Sequence, residues 1–213
     1  SPAIGIRADC REAMYAAAVG LAARQRYRGA GTVEFLYDVD RRAFYFLEMN
    51  TRIQVEHPVT EMVTGRDLVR MQIELAFGDR MAQLRQEDIA RNGHAIECRL
   101  YAERPAKNYL PSTGMLSRFR LPDAAADLRV ETGVREGSAI SYHYDPMLAK
   151  LIAWGPTRDA AAQRMAQALA ATQVDGVQTN SDLLSRVMGH PAFLDGRLHT
   201  QFLDVHRDAL IQA

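Results

Sequence analysis

Lysine is almost absent from this 213-residue chain: Lys107 and Lys150 stand alone among 26 basic residues, the rest being arginine. A chain so poor in movable point charges relies on the planar, two-pronged grip of arginine wherever it holds an anion. Cysteine is equally scarce. Cys10 and Cys98 lie far apart without metal-type spacing, which argues against a disulfide framework or a cysteine-built zinc site and points to a reducing compartment. The 26 acidic residues balance the 26 basic ones, so no global field draws the chain to nucleic acid or to an anionic membrane. No apolar run approaches the ~20 residues of a membrane helix. The opening "SPAIGIRADCREA" has neither an initiator Met nor the charged-then-apolar layout of a signal peptide. That abrupt start leads to the expectation that the chain is a piece of something longer. Two nucleotide signatures are also missing, since no GxxxxGK[ST] phosphate loop occurs and no glycine-rich fingerprint follows a strand.

What is present is an ordinary globular composition, 47% apolar and 24% charged, with length for one large or two small domains. Apolar spacing predicts a helix from about Asp9 to Arg26, with Met14, Ala18 and Leu21 on one stripe. "TVEFLYD" and "AFYFLEMN", rich in β-branched and aromatic residues, flank the polar "DVDRR" and predict a hairpin. Two helices follow, one ending at Gly65 and one carrying Leu68, Met71, Ile73 and Leu75 up to Gly78. The polar stretch "DRMAQLRQEDIARNG" is the best boundary, dividing residues 1–90 from a second domain over 94–206. There "HAIECRLYAE", "MLSRFRLP", "LRVETGV" and "KLIAWG" read as strands, and two helices follow, capped by Thr157 and by Asn180 or Ser181. Met147 and Trp154 read as core, and Cys98 as a small buried hydrophobe. The fold class is α+β.

In "FLEMNTRIQVEHP" every second residue from Glu48 to Glu56 is polar: Glu48, Asn50, Arg52, Gln54, Glu56. On an extended strand these would share one face. A hairpin loop centred on Arg41 would set Tyr37 opposite Tyr45 and Glu34 opposite Glu48, bringing like charges together. A hard cation would compensate, because Mg²⁺ takes one or two carboxylates together with waters and substrate phosphates. Asn50 could add a neutral oxygen. Further along, Arg52 could hold a small planar anion while Glu56 takes a proton from it, a pattern that fits an acid activated by ATP. Spacing alone leaves the other reading open, in which each carboxylate meets water and Arg52 and Glu56 form a surface pair of negligible worth. His57 and Pro58 read as the turn that ends the strand. Tyr144 and Asp145 could orient Arg99 or begin a turn.

"YRGAGTVEFLYD", "FYFLEMNTRIQVEHPVTEMVTG", "HAIECRLYAE" and "LPSTG" together closely resemble the biotin carboxylase component of biotin-dependent carboxylases, in the ATP-grasp superfamily. "YDPMLAKLIAWG" and "DGVQTNSDLL" resemble the C-terminal domain of that component, in its acyl-CoA carboxylase versions especially. The resemblance covers nearly the whole chain. It implies the closing part of an ATP-grasp domain over 1–90, then a carboxylase C-terminal domain of antiparallel sheet and helices. It makes Glu34 and Glu48, with Asn50 beside them, ligands of Mg²⁺ or Mn²⁺, and places Leu36 near the adenine of ATP. Arg52, Gln54 and the backbone of Val55 would hold bicarbonate, and Glu56 would deprotonate it for attack on the γ-phosphate. Carboxyphosphate would then release CO2, the phosphate would take the N1 proton of carrier-bound biotin, and Arg99 would stabilise the enolate.

The family's Gly-rich lid and ATP-gripping lysines are not among these residues, so the isolated chain is expected to fold without turning ATP over. Implied partners are a biotin carboxyl carrier domain, a carboxyltransferase that chooses the acyl-CoA, and a second copy in a homodimer or larger assembly. The implied location is the cytoplasm, or the mitochondrial matrix if the source is eukaryotic. Two alternatives remain: another ATP-grasp carboxylate–amine ligase, which would need neither "RIQVE" nor "ECR", and a non-catalytic assembly or dimerisation module.

Overall fold

A computed structural model describes residues 1–78 and 84–211; residues 79–83, which open the polar stretch read as the boundary, lie outside the described residues. The chain forms two compact units, Pro2–Arg91 and the remainder from Asn92, with Ser1 grouped with the latter through a 2.6 Å bond from its ammonium to the carbonyl of Ala95.

The first unit runs α1 (Ala8–Arg24), β1 (Thr32–Asp38), β2 (Ala43–Asn50), α2 (His57–Thr64) and α3 (Leu68–Ala76). On α1, Met14, Ala18 and Leu21 are the expected half-buried stripe, and no residue of that helix is fully buried. β1 and β2 pair antiparallel, with Phe35 set edge-on to Phe44 at 5.1 Å. Residues 39–42 form the loop, held by the Asp38 carboxylate accepting from the Arg41 N–H at 2.9 Å. Near the turn the expected register is off by one, since Tyr37 faces Phe44 rather than Tyr45. A bulge corrects it. Phe35 pairs with Phe46 and Glu34 with Glu48, leaving Leu47 as the extra residue on β2. α2 ends in the left-handed conformation that Gly65 adopts at φ 67°, without the Cβ clash another residue would bring. α3 is capped by the Asp67 carboxylate, and of its expected stripe only Ile73 is exposed.

One expectation fails. The polar row from Glu48 to Glu56 is not a single strand face, because β2 stops at Asn50. Asn50 pairs with Thr32, the first residue of β1, so beyond it the backbone has no ladder partner. Residues 51–56 turn instead into α2, whose Pro58 sits in the first turn where a missing N–H costs nothing.

The second unit contains β3 (His94–Tyr101), β4 (Glu103–Arg104), β5 (Leu110–Pro111), β6 (Gly114–Met115), β7 (Arg118–Arg120), β8 (Leu128–Thr132), β9 (Ala139–Ile140), β10 (Met147–Gly155), α4 (Arg158–Ala170), β11 (Gln173–Asp175), α5 (Ser181–Gly189) and three one-turn helices, α6 (Pro191–Leu194), α7 (Phe202–Val205) and α8 (Arg207–Leu210). β10 is the centre of a three-stranded antiparallel sheet in the order β3, β10, β8. The stretch expected as one strand over 115–122 is split, because β6 pairs with β9 and β7 with β11. At Gly176, where φ is +100°, an added Cβ would overlap the Met115 carbonyl, so only glycine lets the chain pass this split.

Alternation on β3 sends Ile96, Cys98 and Leu100 inward. Ile96 and Cys98 join Leu128, Leu151 and Ala153 against Ala161, Met165 and Leu169 of α4. Desolvation in that cluster, with Glu97 adding to it, pushes the Cys98 thiol up to about 12, which keeps it an inert hydrophobe. Trp154 and Met147, expected in the core, are only half-buried, and the indole N–H donates to the Asn92 carbonyl at 2.9 Å.

The opposite face of the same sheet is ionic. Arg99, Lys150 and Glu131 are paired in one row across β3, β10 and β8, and directly opposed residues share a face. Lys150, 9% exposed, donates to Glu131 at 2.6 Å, and Arg129 pairs with the same carboxylate. Burial raises the affinity of Glu131 for a proton, but the Lys150 and Arg129 cations outweigh it and hold the carboxyl below its ordinary value. A depressed folded-state value means stability present above the ordinary carboxylate range and lost as pH falls through the folded value. Glu131→Gln is therefore expected to cost about 2–3 kcal/mol at pH 7, where it leaves a buried ammonium without this carboxylate. The deficit should shrink below about pH 4. Denaturant unfolding at pH 7 and pH 3 measures both, and an equal deficit at the two values would show that charge at Glu131 is not the cause.

Candidate functional site

The bulge at Leu47 restores the opposition of Glu34 and Glu48 at the end of the hairpin, where two carboxylates would repel each other. Asn50 answers that repulsion. Its Nδ2 donates to Glu34 Oε1 at 2.8 Å and to Glu48 Oε1 at 2.9 Å, so both carboxylate oxygens lie within 3 Å of one nitrogen. Gln54 Nε2 donates to the same Glu34 oxygen at 3.2 Å. The Arg52 guanidinium closes the circuit, with Nη1 on Gln54 Oε1 at 3.2 Å and Nη2 on Asn50 Oδ1 at 3.4 Å. Although strand geometry ends at Asn50, the turn thus gathers Glu34, Glu48, Asn50, Arg52 and Gln54 into one network. Hydrogen bonds, not the pleat, bring them together.

Glu56 is exposed at the N-cap position of α2, and its side chain makes no cap bond to the helix. Val55 precedes it in the turn, half-buried. The turn is fixed from behind by two residues whose role the sequence reading missed. His57 Nδ1 lies 2.9 Å from the Gln54 carbonyl, an acceptor only, so this nitrogen carries the proton. Its Nε2 faces Glu61 Oε2 at 3.8 Å, and Glu61, 7% exposed, accepts the Leu68 N–H at 2.6 Å. The signal was available: His57 and Glu61 are four apart on one helix face. Leu36 is paired with Tyr45 on the hairpin and is half-exposed.

Arg99 belongs to the second unit, on the ionic face of β3, with its side chain 36% exposed and its Nε 3.9 Å from Glu97. Asp145 Oδ1 accepts the Met147 N–H at 2.8 Å and so builds the turn into β10, with Tyr144 outside in solvent.

The donor set fits a hard divalent cation. Two carboxylates held together, Glu34 half-buried and Glu48 exposed, suit Mg²⁺ or Mn²⁺, which take one or two carboxylates and complete their shell with waters and phosphates. Among the described residues no group of three or more His, Cys, Asp or Glu side chains could hold a metal ion without such help.

Comparison with known proteins covers both units of the chain. Residues 97–205 match the family model of the biotin carboxylase C-terminal domain. The chain belongs to the biotin carboxylase family. Residues 1–84 match the ATP-binding domain of the carbamoyl-phosphate synthase L chain, so the biotin carboxylase segment is the closing part of an ATP-binding domain followed by the C-terminal domain. Mitochondrial methylcrotonoyl-CoA carboxylase subunit alpha of Mus musculus is 46% identical over 99% of this chain and 29% of its own length. Biotin carboxylase 1 of Bacillus subtilis is 45% identical over 97% of this chain and 45% of its own. The chain therefore spans less than half the length of these relatives. The biotin carboxylase domain dimer of Hydrogenobacter thermophilus 2-oxoglutarate carboxylase, solved with MgADP, ADP and bicarbonate, superposes with a TM-score of 0.94 at 41% identity, covering 100% of this chain and 46% of that one. Among the described residues no helix is long and apolar enough to cross a membrane.

Proposed function

We propose that this chain supplies the cation, bicarbonate and biotin-facing residues of a biotin carboxylase, which carboxylates carrier-bound biotin with ATP and bicarbonate. The observation that carries the reading is the closed network of Glu34, Glu48, Asn50, Arg52 and Gln54. Glu34 and Glu48 would hold Mg²⁺ or Mn²⁺, and Asn50 would add a third, neutral donor once its amide turns over, since Nδ2 now faces the two carboxylates and Oδ1 faces Arg52. Bound there, the cation neutralises the phosphates of ATP. Arg52 offers bicarbonate two parallel donors, joined by the Gln54 amide and the Val55 backbone, and Glu56 takes its proton. The resulting dianion attacks the γ-phosphorus, ADP leaves, and carboxyphosphate forms. Its breakdown gives CO2 and a phosphate that accepts the biotin N1 proton, while Arg99 offsets the enolate charge. Leu36 lends the adenine an apolar contact.

The relatives' names support a multi-part enzyme: one is a carboxylase subunit and another a domain dimer. The partners that follow are a biotin carrier domain, a carboxyltransferase and a second copy of the chain, in the cytoplasm or, in a eukaryote, the mitochondrial matrix. Glu48→Gln in the intact enzyme tests the cation site. Mn²⁺ affinity, read by electron paramagnetic resonance, is expected to fall about 10-fold or more with far-UV circular dichroism unchanged. Unaltered Mn²⁺ affinity would remove Glu48 from the site.

A further inference from the structure

β3 is an edge strand of its sheet: β10 lies on one side, and among the described residues no strand is hydrogen-bonded to it on the other. An edge leaves alternate backbone groups unpaired, here those of Arg99 and Tyr101 that point away from β10. Asn180 takes three of these groups, the Arg99 carbonyl and both the N–H and the carbonyl of Tyr101. Asn180, 5% exposed, accepts the Tyr101 N–H on Oδ1 at 2.9 Å and donates from Nδ2 to the Arg99 carbonyl at 3.1 Å. Its own N–H donates to the Tyr101 carbonyl at 3.2 Å. The same amide stands beside the Glu103 carboxyl, which burial pushes up and the amide pulls partly back.

The sequence pattern offers Asn180, or Ser181, a different task, the side-chain cap of α5. It sits at that N-cap but makes no side-chain cap bond. The amide is spent on the strand instead, where its donor and acceptor are spaced to imitate a short piece of a neighbouring strand. Aspartate could accept from Tyr101 but not donate to Arg99, and alanine could do neither. The contact is to the backbone of the one residue on β3 assigned to chemistry, and to the residue two positions on.

From this geometry we infer that Asn180 is a positioning residue for Arg99: its amide, standing in for a missing strand, fixes the backbone from which the guanidinium reaches biotin. The inference rests on the reading of Arg99 proposed above. A guanidinium is useful to an enolate only within a few tenths of an ångström of the right place, and a misplacement of 1 Å can cost about 10²-fold.

The test compares Asn180→Ala, Asn180→Asp, Arg99→Ala and the double variant Asn180→Ala/Arg99→Ala in the intact enzyme. Carboxybiotin formation, bicarbonate-dependent phosphate release and Tm are measured on each. Asn180→Ala is expected to slow carboxybiotin formation about 10-fold or more while phosphate release stays within about 2-fold. Added to Arg99→Ala it should cost nothing further. Asn180→Asp keeps the Tyr101 acceptor but loses the donor to Arg99 and to Glu103 and sets a second carboxyl beside Glu103, so, at a Tm matching the parent, it reports on positioning if the alanine variant fails to fold, and the same selective loss is expected. Equal loss of both half-reactions in both Asn180 variants, or unchanged carboxybiotin formation in Asn180→Asp, would overturn the inference and leave Asn180 a structural residue. A selective loss that multiplies with that of Arg99→Ala would overturn it too, because Asn180 would then act elsewhere. The Arg99→Ala arm judges the underlying reading separately: if that variant alone spares carboxybiotin formation, the role of Arg99 is wrong and the positioning role falls with it.

Discussion

Glu56→Gln in the intact enzyme is expected to abolish bicarbonate-dependent ATP cleavage, with a loss of about 10²-fold or more, the scale of a missing general base. Glutamine matches glutamate in volume and can keep the backbone conformation at φ −84°, ψ 12° that starts α2. What it cannot do is accept the proton of bicarbonate. The structural cost is small, because the side chain is exposed and makes no cap bond. Losing the negative charge at a helix N-terminus costs about a few tenths of a kcal/mol. Phosphate release with and without bicarbonate, on a preparation whose Tm matches the parent, separates chemistry from folding. Unchanged bicarbonate-dependent release would demote Glu56 to a turn residue.

The opposition of Glu34 and Glu48 was legible from the sequence, but by two errors that cancel. A loop centred on Arg41 gives that pair with no bulge, whereas the true loop is tighter and Leu47 restores the register. Nothing in "FYFLEMN" announces a bulge, since it depends on how the twisted pair closes and not on any residue's own preference. The row from Glu48 to Glu56 was misread for a related reason. Alternation describes a strand only while a partner continues, and β1 begins at Thr32. Even so, Asn50, Arg52 and Gln54 meet, because their polar ends satisfy one another where the ladder cannot. Asn180 shows the limit from the other side: local pattern offered it, or Ser181, as a helix cap, and a strand 79 residues earlier in the chain claimed its amide. The α4 cap is the converse case, since Thr157 accepts the Ala160 N–H with no distant competitor, and pattern and structure coincide.

Arg99→Ala separates the two half-reactions. In the proposed reaction Glu56 and Arg52 act on bicarbonate, whereas Arg99 is assigned to the biotin ureido oxygen, where negative charge appears only as the ring loses its N1 proton. A fixed cation there stabilises the transition state more than the ground state, so its removal falls on the rate of carboxylation. The side chain is 36% exposed and stands in a row with Lys150, which is 9% exposed and bound to Glu131 at 2.6 Å. That neighbour is held across the sheet and cannot take over the role. Carboxybiotin formation is expected to fall about 10²-fold or more, the usual scale for one charge-stabilising group, while most bicarbonate-dependent phosphate release survives. Arg99→Lys should recover little, because an ammonium lacks the planar fork. The alanine change also removes a cation 3.9 Å from Glu97 on the same strand, so Tm is measured beside both rates. If carboxybiotin formation and phosphate release fall in equal proportion at unchanged Tm, Arg99 acts on bicarbonate or ATP, and the enolate role is wrong.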